Sequence, residues 1–232
     1  MNEAIIGFVG VLIGVIAMVG KDAVSYWTGR RNAGRYAAVR IVCVLDEYVE
    51  KCVEVVHDDG TLQGRPAGRF DSGEEYYSAQ VDSPPPPVFA DDIDWTSISP
   101  DLMYRVLALP NLAVRTERFI SDASEHSYPP DYSEFFRARW EGYADLGLEA
   151  LSIATALRRQ FNLPLTSMDS GNHNWDAARF FRKKKEELAI LLEREIASSA
   201  DMWERHKQQN EKKDQSDQPK DRSAAESNGG TE

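Results

Sequence analysis

From Ala4 to Gly20 every position is apolar or glycine, and the first charge after this run is Lys21. As a helix the seventeen residues rise about 25 Å, the short end of a bilayer span. The span lengthens through Ala23, Val24, Tyr26 and Trp27 if Lys21 extends its ammonium toward the headgroups with Asp22 among them. Tyr26 and Trp27 then fall at an interfacial aromatic belt, with Arg30 and Arg31 just beyond it. Asn2 and Glu3 stand where an export signal would be basic, and no small-residue cleavage pattern ends the run, so the segment reads as an uncleaved anchor. Lys and Arg are absent before it and five follow by Arg40, so the positive-inside rule places the N-terminus out and the following chain in the cytoplasm, on the inner membrane.

Gly7, Gly10, Gly14 and Ala17 are spaced three, four and three, and therefore share one face of the span. Small residues let helix backbones approach closely in lipid, so this face is a candidate for self-association into a homo-oligomer. Glycine is also common in membrane helices generally, which makes a plain lipid-facing composition the competing reading.

Beyond residue 29 the pattern changes to a helical rhythm. Ile41, Leu45, Tyr48, Cys52 and Val55 recur at three- and four-residue spacing, with Asp46, Glu47, Glu50, Lys51 and Glu54 between them. This predicts an amphipathic juxtamembrane helix over residues 30–57, with a hinge near Gly29 and Gly34 and a stop at Gly60. Residues 58–98 have no sustained period and contain the run Pro84–Pro87, which cannot continue a helix or a central strand. They read as an acidic, proline-rich loop acting as a stiff spacer, its end tied to the body by Phe89, Ile93 and Trp95.

A helical body is predicted over residues 99–207. Ser99 is its expected N-cap, with Pro100 and Asp101 suited to a first turn. Pro110 is expected to break this helix, and a second one runs over residues 111–126. Residues 131–161 place Phe136, Trp140, Tyr143, Gly147, Ala150, Ala154, Leu157 and Phe161 on one stripe. Residues 175–207, with Asn174 as a cap, place Ala178, Phe181, Leu188, Leu191, Leu192, Ile196, Met202 and Trp203 on another. The short connection makes these two an antiparallel hairpin, completing a three- or four-helix bundle. Residues 208–232 are almost without apolar side chains and read as a disordered tail. The expected fold class is mainly α: an N-terminal transmembrane helix (residues 1–29 with its interface) and a cytosolic helical bundle.

The arrangement of "AIIGFVGVLIG" with arginines behind it, then "SPDLMYRVLALPN" and "YPPDYSEFFRARWEGYADLGLEALSIATALRRQFNLP", resembles uncharacterised single-pass membrane-anchored helical proteins of bacteria. The resemblance spans residues 1–165 and implies a tethered helical body, with no catalytic residues attached to it.

Charge narrows the function further. The net charge is −11, and residues 58–101 alone hold ten carboxylates against Arg65 and Arg69. That balance disfavours a nucleic-acid binder, whose affinity comes mostly from neutralising phosphates. A basic cluster at Arg179, Arg182, Lys183 and Lys185 reads first as a solvated helix face with pairs such as Lys183–Glu187. Anionic headgroups, an acidic partner or the acidic loop of the same chain are its functional alternatives.

The two cysteines, Cys43 and Cys52, lie roughly 13 Å apart along one helix, too far for a disulfide, and fit a reducing compartment. Glu54 and His57 form one Glu-x-x-His unit, but a di-iron bundle needs two, and none pairs with His126, His173 or His206. No zinc-protease, phosphate-loop, nucleophile-elbow or dinucleotide fingerprint occurs, and no cofactor is expected. Two readings follow. The first is a membrane-anchored cytosolic interaction or scaffold protein with an unknown protein partner. The second is a membrane-tethered hydrolase or other helical enzyme whose site is not recognisable from sequence.

Overall fold

The computed structural model describes residues 2–130, 132–165 and 175–216, with side chains placed from residue 28 to residue 210 within them. Among the described residues the chain is mainly helical, with four α-helices and little sheet. It divides into two units, Met1–Lys185 and Glu186–Glu232.

Helix α1 runs unbroken over Asn2–His57. Its apolar rhythm is realised as read: Ala37, Ala38, Ile41, Val42, Leu45, Tyr48, Val49, Cys52, Val55 and Val56 are buried, while Cys43 faces outward. The hinge expected near Gly29 and Gly34 is absent. Gly34 is instead a point of close approach, where a Cβ would lie 2.5 Å from the Phe161 ring and 3.0 Å from the Ser97 carbonyl oxygen. Among the described residues no helix is long and apolar enough to cross a membrane. The run Ala4–Gly20, with Gly7, Gly10, Gly14, Ala17, Lys21, Tyr26 and Trp27, falls where side chains lie outside the described residues.

Residues 58–98 are packed, not a free spacer. Two short antiparallel ladders form, β1 (Thr61–Leu62) with β2 (Arg65–Pro66) and β3 (Gly68–Arg69) with β4 (Glu75–Tyr76). Pro84 and Pro87 are buried while Pro85 is exposed, the three-residue period of an extended proline helix laid against a surface. Ile93 and Ile98 enter the core, Phe89 and Trp95 pack against it, and a 3-10 helix spans Trp95–Ser97. The loop's acids find partners too: Asp92 pairs with Arg40 of α1, and Glu75 with Arg69.

Helix α2 spans Pro100–Glu125 and continues through Pro110, contrary to the expected break. Leu102, Val106, Leu109, Ala113 and Ile120 form one buried face across it, so packing offsets the hydrogen bond that proline removes. Ser99 stands at the cap position, yet its hydroxyl reaches Gln160 and leaves the first turn without a side-chain cap.

Helix α3, Ser133–Phe161, is the centre of this unit, and α1 and α2 are its principal neighbours. The predicted stripe is buried apart from Trp140, which is half-buried. Ala138, Ala144, Leu146, Leu151 and Ile153 are buried as well, so α3 is enclosed on more than the one face a hairpin requires. Arg105 of α2 grips Glu149 through two bonds of 2.9 and 3.0 Å, and Arg158 is buried against Asp46 of α1.

Helix α4 runs over Ala177–Ser216, past residue 208 where a disordered tail was expected. Asp176 caps its start by accepting from the Ala178 and Arg179 amides, and Asn174 lies outside the described residues. Up to Lys185 it meets α3 at single points: the Phe181 ring against Gly147, Lys184 over the Trp140 ring at 3.8 Å, and Lys185 paired with Asp145. Beyond Lys185, Leu188 is buried, whereas Leu191, Leu192, Ile196, Met202 and Trp203, which the sequence pattern placed inward, are exposed.

Candidate functional site

Helix α1 ends by placing Asp58 in the core. The Asp58 carbonyl accepts from the Trp140 indole at 2.8 Å. Its carboxylate accepts from the amides of Gly60 (3.0 Å), Gln80 (2.8 Å) and Val81 (3.0 Å). The Arg139 guanidinium of α3 lies 3.6 Å away, donating to the Val81 carbonyl and, at 3.1 Å, to the Ser83 hydroxyl. Both charged side chains are nearly inaccessible. A buried carboxylate is tolerated where amide donors and a cation surround it, and all of those conditions are met here.

The staple fixes residues 80–83, and with them the proline run that follows. Pro84, Pro85 and Pro86 stand over α2 and α3 and enclose a groove of about 470 Å³. Ala113 and Val114 make its apolar wall, Arg118 and Ser121 are also on its lining, and Tyr143 and Glu117 complete it. The Tyr143 hydroxyl donates to Glu117 Oε2 at 2.8 Å. Burial pushes the Tyr143 hydroxyl well above its ordinary range, so it stays protonated as a donor. Deeper in the core, burial does the same to Tyr48 and to the Cys52 thiol one turn further along α1. A thiol held protonated in this way is no nucleophile.

A second recess of about 300 Å³ is aromatic, with Tyr76, Tyr77, Tyr132, Phe135 and Phe136 on its lining. Among the described residues no histidine lines either cavity. His57 stacks on Phe180 at 4.3 Å, and His126 bonds the Asp122 carbonyl of its own helix. Among the described residues no group of three His, Cys, Asp or Glu could hold a metal ion.

Of the residues marked at the membrane interface, Arg31 is exposed and Arg30 donates to the Thr96 carbonyl at 2.9 Å. In the basic cluster of α4, Lys185 is engaged by Asp145, and Arg179, Arg182 and Lys183 are exposed to solvent, Lys183 with an interaction of its own. Sequence reasoning passed over the roles of Asp58, Arg139 and Glu117 and the bond that the buried Tyr143 makes to Glu117. One signal was legible: Arg139 falls three residues after Phe136 and four before Tyr143, on the row that turns inward.

Comparison with family models, curated proteins and solved structures finds no match to this chain.

Proposed function

We propose that this protein is a single-pass membrane-anchored interaction protein whose helical body binds a partner beneath the inner membrane. The apolar run Ala4–Gly20, the aromatics after it and the arginines behind them support the anchor and its orientation. The groove under Pro84–Pro86 is the observation that carries the binding role. Its walls are largely apolar, its polar groups include a carboxylate and a protonated phenol bonded to each other with Arg118 and Ser121 beside them, and its rim is held by the Asp58–Arg139 staple. That chemistry suits capture of an apolar side chain with a hydrogen-bond donor directed at Glu117. The catalytic alternative asks for an activated nucleophile, and the groove's phenol is held in its protonated form.

A photo-crosslinking residue at Val114, in the groove, tests the reading in intact cells against one at Tyr104, which is 73% exposed and does not line it. A discrete crosslinked species from Val114 alone, lost on Glu117→Gln or Pro85→Arg, is expected. Equal capture from both positions would defeat the groove. A periplasm-only reporter fused after Asn210 should be silent, and its activity would reverse the orientation.

A further inference from the structure

Helix α4 carries an eleven-residue repeat. Phe180-Phe181, Leu191-Leu192 and Met202-Trp203 are adjacent apolar pairs, each eleven residues from the next. Eleven residues make three helical turns with a drift of roughly 20°, so the three pairs lie on one nearly straight face. The first pair is used by the chain's own body: Phe181 is buried at Gly147 and Phe180 stacks on His57. The next two pairs are exposed. Leu191, Leu192, Met202 and Trp203 are 49, 46, 63 and 70% exposed, and Ile196 between them is 61% exposed. The face is thus the continuation of one already employed in packing, left open for two repeats.

We infer that a second copy of this helix covers it, running antiparallel about a two-fold axis at Ala197. In that register Leu191-Leu192 of each copy meets Met202-Trp203 of the other. Between the pairs, Glu195 meets Ser199, a large side chain against a small one. A parallel pair would set Glu195 against Glu195 in the middle of the seam, where like charges repel with little water to screen them, and would set Trp203 against Trp203. An eleven-residue period matches a partner helix of the same period, the basis of right-handed helical pairing. A lipid surface is the poorer occupant. Residues 186–210 hold six carboxylates against three Lys and Arg, whereas helices that lie on anionic headgroups flank their apolar face with cations.

The test uses the full chain in detergent micelles with Cys43→Ser, leaving the buried Cys52 in place. Single cysteines are introduced at Ser198 or Gln209 and treated with a short bismaleimide. The antiparallel register brings the two copies of position 198 side by side and holds the two copies of position 209 about 36 Å apart. Crosslinked dimer at 198 and none at 209 is the expected result. Leu192→Glu with Trp203→Glu should abolish it while the circular dichroism of the body is unchanged, since both side chains are exposed. Crosslinking at both positions would mean a parallel pair. Monomer at both, or protection of position 198 from maleimide only when lipid nanodiscs replace detergent, would equally overturn the inference. None of these outcomes bears on the groove, which lies elsewhere in the chain.

Discussion

Asp58 and Arg139 approach to 3.6 Å with their side chains 2 and 3% exposed, yet they are joined more firmly through Val81 than to each other. The carboxylate takes the Val81 amide and the guanidinium takes the Val81 carbonyl. The ion pair therefore acts as a clamp on one residue of the loop, and through it on the proline run. Removing either charge leaves the other buried, which costs about 3–5 kcal/mol. Asp58→Ala should lower the urea midpoint accordingly and abolish slow hydrogen exchange at the Gln80 and Val81 amides. Retained protection at those two amides would show that the loop is held by something else.

Gly147 and Phe181 test how α4 attaches to the body. A Cβ at Gly147 would lie 2.3 and 2.5 Å from two atoms of a ring that is fully buried, so the ring has to move. Gly147→Ala gains helix propensity but should lose more to this overlap, a net destabilisation of about 1–3 kcal/mol. Pairing it with Phe181→Leu, which opens the space, should recover part of the loss. Additive losses in the double mutant would mean that the two residues do not act on one another.

How much of this was legible in sequence depends on which physical effect governs each element. The buried rows of α1 and α3 follow from helical periodicity alone, and Ile41, Leu45, Phe136, Leu157 and Phe161 are where that period puts them. Pro110 was misread because local propensity opposes it while the apolar face on either side, Val106 to Ala113, outweighs it through tertiary contact. The proline run looked like a spacer because its three-residue period is invisible until a surface is present to bury Pro84 and Pro87. Arg139 and Arg158 sit in helical rows that otherwise read as apolar, and their burial depends on Asp58 and Asp46, which are 81 and 112 residues distant in the chain. The groove inherits that remoteness: its phenol, carboxylate and prolines come from three separate segments.

Alkaline stability should report the buried thiol. Cys52 ionises near 9 when unfolded, whereas burial holds the folded thiol well above that. Above pH 9 the unfolded chain loses a proton that the folded chain keeps, so stability is complete below pH 9 and falls as pH rises. The slope is about 1.4 kcal/mol per pH unit from this group, with Tyr48 and Tyr143 adding to it above their ordinary value of 10.0. Cys52→Ala should flatten the decline between pH 9 and 10 by about 1 kcal/mol, because the full slope is reached only above that interval, whatever its effect at neutral pH. Parallel declines for wild type and variant, measured as guanidinium midpoints, would place the ionisation elsewhere.

The proposed membrane anchor carries its small residues at a regular spacing. Gly7, Gly10, Gly14 and Ala17 recur at three and four residues, so a helix brings them to one side. In lipid, where apolar burial gives no advantage to contact between helices, close backbone approach at small residues is the main source of attraction. Gly10→Leu with Gly14→Leu fills that side without making the segment any less apolar, so insertion should survive while association is lost. Val9→Leu with Ile13→Leu, one position round the helix, should have a much smaller effect. A membrane two-hybrid readout of the isolated run separates these outcomes. Equal signals from wild type and the glycine double mutant would mean that the run has no part in assembly, and any pairing of the chain would then fall to its other helices.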